Sequence, residues 1–135
     1  MPNRTYAKEW LEKAYHDLGS ATILYEADHY TDSIGVDLHY ALEKTLKALL
    51  AYENEPIPRS HDLIHLYLKV KHHITLSEDE RNTLNDATDY HIEIAYPTFE
   101  KSLPPREEIK NVHDLATQLL DRVCHYLAIP IESLK

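Results

Sequence analysis

The stretch from 38 to 50, Leu38-His39-Tyr40-Ala41-Leu42-Glu43-Lys44-Thr45-Leu46-Lys47-Ala48-Leu49-Leu50, constrains the fold more than any other part of the chain. Leu38, Ala41, Leu42, Thr45, Leu46 and Leu49 recur at steps of three and four, which winds one apolar stripe down a helix and leaves Glu43, Lys44 and Lys47 on the other side. A strand would need alternation at every second residue, and the run does not provide it. Nearly every residue here is a good helix former, and Glu43 precedes Lys47 by four positions, the favourable order for a helical ion pair. The stretch therefore reads as a core helix with its charged residues on the side away from the apolar stripe.

The same periodicity organises the flanks. Ala7, Leu11, Ala14, Leu18, Ala21 and Tyr25, widened by Trp10 and Leu24, predict a long first helix over about 4–28. Thr31 or Asp32 is the expected cap of the second helix, which Pro56 and Pro58 stop. Ser60 is the expected cap of a third helix carrying Leu63, Leu66, Tyr67 and Val70, with Asp62 in its first turn. Ser77 and Glu80 form a capping box that opens a fourth through Leu84, Ala87, Thr88, His91 and Ile94. After the irregular segment 97–105, Pro104-Pro105 leads into a fifth helix with Ile109, Val112, Ala116, Leu119, Leu120, Val123 and Leu127 on one face. In 135 residues this is one all-α domain over 1–135, a five-helix up-and-down antiparallel bundle.

Composition removes several function classes. Gly19 and Gly35 are the only two glycines, too few for a Walker or dinucleotide phosphate loop. A net charge of −9 with a pI near 5.5 repels nucleic acid and anionic membranes on average, so an RNA site would need a local basic patch. The N-terminus is polar and no apolar run approaches the roughly 20 residues of a membrane span, which reads as a cytoplasmic protein with no membrane partner. The single cysteine, Cys124, sits among Val123 and Leu127 and reads as core packing.

With these helices placed, the sequence resembles the HEPN family, the "higher eukaryotes and prokaryotes nucleotide-binding" helical domain. The residues that carry the resemblance are Ala14-x-x-Asp17-Leu18-x-x-Ala21, Ala41-Leu42-Glu43-Lys44-Thr45-Leu46-Lys47-Ala48-Leu49-Leu50, Pro58-Arg59-Ser60-His61-Asp62-Leu63, Tyr96-Pro97 and Arg106-Glu107-Glu108. Their order and spacing cover nearly the whole chain. The resemblance implies a bundle of the nucleotidyltransferase substrate-binding-subunit type, a homodimer, and a minimal nucleotidyltransferase as partner. It implies no cofactor, and in several branches of the family a metal-independent RNase toxin of a toxin-antitoxin pair. Relatives often carry an arginine directly before Tyr-Pro; here that position is Ala95, which removes a planar five-donor partner for phosphate.

The RNase branches use an arginine to hold the scissile phosphate and a nearby histidine to move a proton, chemistry that an imidazole near its ordinary pKa performs without metal. Arg106 and His113, seven apart on the fifth helix, fit that pattern as catalytic candidates and lie on one face about 10 Å apart in rise. Arg59 and His65 are a second pairing, with Tyr67 two residues on. With ten histidines in the chain such pairings arise readily by chance, and a solvated helix face is the other reading of Arg106 and His113. Lys44, Lys47, Arg59, His61, Asp62 and Tyr96 are the candidate residues for a nucleotide or RNA ligand, lining a groove between the second and third helices and the end of the fourth. For His61 and Asp62 local capping is the alternative. His61 and His65 share a helical spacing suited to metal, but no third ligand is fixed by the sequence, so no metal site is assigned. Lys69, Lys71, His72 and His73 gather positive charge at a helix end, where the dipole favours it. Ten tyrosines against one phenylalanine point to half-buried rims and a subunit interface, because a buried phenol needs a partner.

Overall fold

The structure, a computed structural model, describes residues 2–91, 97 and 103–135. Five α-helices follow in order: α1 (Arg4–Glu26), α2 (Thr31–Tyr52), α3 (Leu63–Val70), α4 (Glu78–Ala87) and α5 (Arg106–Leu127), with a 3₁₀ turn at Ile131–Leu134. No strand occurs among the described residues, and the fold is all-α as the sequence requires. The fourth helix ends earlier than its expected run through His91 and Ile94, at Ala87 with Thr88 as its cap, and Ile94, Ala95 and Tyr96 lie outside the described residues.

The stripes end where their spacing puts them. Ala7, Leu11, Ala14, Leu18 and Ala21 of α1 are buried, as are Ile109, Val112, Ala116, Leu119, Leu120, Val123 and Leu127 of α5. Cys124 belongs to the same core, where burial, with Asp121 nearby, pushes its thiol up to about 11. Helix α2 occupies the centre and touches each of the other four helices. That position buries the charged side as well: Glu43 and Lys47 are 4% and 5% exposed, so Lys47 does not stand open as the wall of a ligand groove. A helix packed on several sides covers its polar face as well, and the two charges survive there because Lys47 Nζ lies 3.4 Å from Glu43 Oε2.

Caps show which polar residues the backbone uses. The Ser77/Glu80 box is present on α4, with Ser77 Oγ accepting from the Glu80 amide and Glu80 from the Ser77 amide. At α3 the cap is Asp62, not Ser60: its carboxylate accepts from the amides of Ile64 and His65, both at 3.1 Å, while Ser60 Oγ accepts from the Asp62 amide. At α2 neither Thr31 nor Asp32 is the cap; the capping position is Tyr30, without a side-chain bond, and Asp32 Oδ1 accepts from the Ser33 amide instead. Three helices end on a left-handed residue, Asp28 after α1, Asn54 after α2 and Ala128 after α5. In each case the next amide reaches back five residues, His29 to Leu24, Glu55 to Leu50 and Ile129 to Cys124, closing the helix in the Schellman manner.

Two tyrosines depart from the rim expectation. Tyr67 and Tyr90 are 3% and 2% exposed, and each has its hydroxyl satisfied, Tyr67 by accepting from the Leu76 amide and Tyr90 by donating to Glu108.

Candidate functional site

Two clusters bring together side chains singled out by the sequence. The first lies where the start of α5 meets the end of α1. Arg106 donates to the Tyr25 carbonyl at 2.5 Å, pairs with Asp28 at 3.2 Å and lies over the Tyr25 ring, 4.3 Å from its centroid. His113, two turns further along α5, stacks on the same Tyr25 ring. Its Nε2 is 2.7 Å from Thr22 Oγ1, which also reaches the Leu18 carbonyl. The Thr22 hydroxyl has one proton, which it can give to the Leu18 carbonyl while accepting from His113 Nε2–H, or turn toward Nε2 of the other tautomer. Arg106 and His113 thus share one face and one aromatic ring, as their spacing demands, and both are engaged with α1.

The second cluster is built on the polar side of α2. Glu43 Oε1 accepts from His61 Nδ1 at 2.5 Å and lies 3.3 Å from His39 Nε2, while Oε2 faces Lys47. Burial alone would raise the Glu43 carboxyl, but His39 in its protonated form, the His61 imidazole and the Lys47 ammonium outweigh it and hold the group down at about 2. Lys47 also lies over the Trp10 ring at 5.9 Å, so the lysine read as a groove wall is a buried bridge between α1 and α2. Lys44, half-buried, donates to Asp17 of α1 at 2.7 Å and lies over Tyr40. The Asp17-Leu18 pair of the first helix thus serves as a partner for Lys44 and a core contact.

His91 completes this side. Its ring stacks on His39 with centroids 4.4 Å apart and meets His61 at 4.5 Å. Burial, with His39 and His61 beside it, holds His91 below the ordinary histidine range. Of the remaining candidates, Asp62 is spent on the α3 cap, Arg59 and His65 are exposed, and Tyr96 lies outside the described residues. In the basic run after α3, His72 and His73 both bond Glu53, and His73 also bonds Tyr126. Sequence reasoning missed His39, His91, Tyr25 and Thr22. For His39 a signal existed, its i,i+4 relation to Glu43; for His91 there was none, because its neighbours come from other helices.

The comparisons with known proteins agree with this architecture. The HEPN domain model matches residues 7–126. TT1696 from Thermus thermophilus superposes with a TM-score of 0.73 at 23% identity, over 89% of this chain and 97% of that one. ST0689, an archaeal HEPN homologue, superposes with a TM-score of 0.62 at 18% identity, over 90% of this chain and 97% of that one. No curated protein matches the sequence. No helix among the described residues is long and apolar enough to cross a membrane. A bundle centred on α2, with Asp17, Glu43, Lys44, Lys47, His61 and Asp62 all in contact around that helix or capping the next, and a match over nearly its full length, make this chain a member of the HEPN domain family.

Proposed function

We propose that the protein is a nucleotide- or RNA-directed binding and regulatory module that works with a minimal nucleotidyltransferase, rather than an RNase. The observation that carries this reading is the commitment of Arg106. Its guanidinium is spread over the Tyr25 carbonyl, Asp28 and the Tyr25 ring, so the donors that would clamp a scissile phosphate already hold α5 to α1. The acidic balance of the chain, which on average repels a long RNA substrate, weighs against the RNase alternative. In this reading Arg59, exposed two residues before His61 at the entry to α3, meets the ligand phosphate. A symmetric homodimer belongs to the proposal: Ile23 and Tyr30 flank the α1–α2 turn and are 67% and 69% exposed, apolar surface that a partner copy would cover.

One observation favours the second reading, a metal-independent RNase toxin. Arg106 and His113 converge on one ring, which sets a guanidinium and an imidazole side by side as phosphate-holding and proton-moving chemistry requires. An RNA-cleavage and growth assay separates the two. The module reading expects no cleavage in EDTA, no growth arrest on expression, and a melting temperature raised by nucleotide, RNA or the transferase. Arrest relieved by Arg106→Ala or His113→Ala would instead establish the RNase, and no shift with any of the three additions would remove the module reading.

A further inference from the structure

We propose that His39, His61 and His91 form a three-histidine site for a divalent cation of borderline softness, zinc above all, which pins the α2–α3 connector and the end of α4 onto α2. The three come from separate segments, yet one imidazole nitrogen of each lies within 4.8 Å of the other two. Tautomers argue for ligation. His39 Nδ1 is 2.8 Å from the Ala87 carbonyl and His91 Nδ1 is 3.2 Å from the Thr88 carbonyl. A carbonyl only accepts, so both Nδ1 atoms carry the proton and both Nε2 atoms present lone pairs. His61 Nδ1 donates to the Glu43 carboxylate, the carboxylate–histidine arrangement that orients an imidazole toward a metal.

The decisive atom is His39 Nε2. The His39 side chain is fully buried, and among the described residues this nitrogen has no hydrogen-bond partner of good geometry. It sits 3.3 Å from Glu43 Oε1 but off the line of a hydrogen bond. A buried lone pair facing a carboxylate oxygen is repulsive unless a positive charge lies between or beside them. Lys47 serves the other carboxylate oxygen, so the charge must come from elsewhere. The remaining candidates are a proton on His39 or on His61 and a cation shared by the three rings, and the convergence of His91 on the same spot is what a proton does not explain.

Three neutral imidazoles suit zinc, cobalt, nickel or copper and not magnesium or calcium, which take oxygen ligands. Zinc–nitrogen bonds of about 2.1 Å place tetrahedral ligand atoms roughly 3.4 Å apart, so the nitrogens must draw together by up to about 1.4 Å. His61 can make that adjustment: it lies on the connector outside α3, and its side chain is 45% exposed. That exposure also supplies the entry path and an open fourth position. The other histidine cluster, Glu53 with His72 and His73, lacks such a feature, because its groups already bond one another at the surface.

The test uses the full chain, stripped with EDTA and exchanged into chelator-free buffer at pH 7.5. Zinc is titrated by calorimetry, and cobalt by the visible absorption of its low-coordinate imidazole complexes. The site predicts one equivalent bound, a raised melting temperature, and loss of stoichiometric binding in His61→Gln and in His91→Gln. Both positions are less buried than His39, and circular dichroism checks that each variant folds. A His72→Gln, His73→Gln double variant should bind like the wild type, and Glu43→Gln should bind roughly 10- to 100-fold more weakly. Wild-type protein that binds neither metal, or binding that persists undiminished in His91→Gln, overturns the proposal and leaves the cluster holding a proton.

Discussion

The two glycines give opposite answers to one substitution, and their difference isolates a packing term. Gly19 is in the middle of α1 on its exposed side, and a methyl built there meets nothing within 4 Å among the described residues. Gly19→Ala should therefore stabilise the protein by about 1 kcal/mol through helix propensity alone. Gly35, in the second turn of α2, is buried against α5 and the end of α4. A methyl there would sit 3.0 Å from Tyr90 Cδ2, 3.4 Å from Cγ and 3.5 Å from Ile109 Cδ1. Carbon atoms pack at about 3.5–4.0 Å, so the nearest contact is too short by at least 0.5 Å. The ring cannot easily give way, because it is 2% exposed and its hydroxyl is tied to Glu108 at 2.5 Å.

Overpacking of this kind costs about 1–3 kcal/mol, which the helix gain of about 1 kcal/mol only partly offsets. Because propensity is common to both variants, the cleanest quantity is the gap between them. Gly35→Ala should be less stable than Gly19→Ala by about 1–3 kcal/mol, or about 4–12 °C in melting temperature for a domain of this size. Urea and thermal unfolding followed by circular dichroism measure it, and a Tyr90→Ala background should close most of the gap by removing the obstacle. If Gly35→Ala proves as stable as Gly19→Ala in the native background, the close approach of α2 to Tyr90 is wrong.

Three further perturbations follow from the same reasoning. Ala128 holds a left-handed backbone with φ 55° at the end of α5, so Ala128→Gly should raise stability by about 1 kcal/mol in a denaturant titration; a loss would mean that its Cβ contacts matter more than its backbone. Glu43→Leu leaves the Lys47 ammonium buried without its carboxylate and should cost about 3–5 kcal/mol, much of it regained in the double variant with Lys47→Met, whereas simple additivity would exclude coupling. The Glu53 carboxyl is raised by burial but lowered further by His72 and His73, and it ends below the ordinary glutamate range. A depressed carboxyl contributes stability above its unfolded pKa and loses it as pH falls through the folded value, so the melting-temperature gap between wild type and Glu53→Gln should shrink as pH drops below about 4.5; a constant gap would refute the pairing.

The family resemblance and the bundle were legible because they rest on local patterns. The stripes of α1 and α5 repeat at the helical period, and the Ser77/Glu80 box needs partners only three residues apart. Capping at α3 was half legible: the competing acceptors Ser60 and Asp62 are close in sequence, and the backbone geometry at Asp62 decides between them. The sequence pairing of Arg106 with His113 rests on their helical period, but the engagement of both with Tyr25 and Thr22 depends on where α1 lies. For the histidines, periodicity paired His61 with His65, whereas the fold leaves His65 exposed and brings His61 to His39 and His91.

Hydrophobic period, prolines and capping residues act within a few positions of one another, so the order of amino acids was enough to set the number, extent and apolar faces of the helices. It was also enough to make Glu43 and Lys47 an i,i+4 pair. What that pair is for came only from the packing of the helices. Placing α2 against all four others took both charges out of water, and a buried carboxylate must then collect every donor within reach. His61 arrives from the connector to donate to it, His39 stands one turn away with a bare nitrogen, and His91 comes from beyond α4. Segments distant in the chain meet there only because the core fixes where their helices end, and no periodicity encodes that meeting.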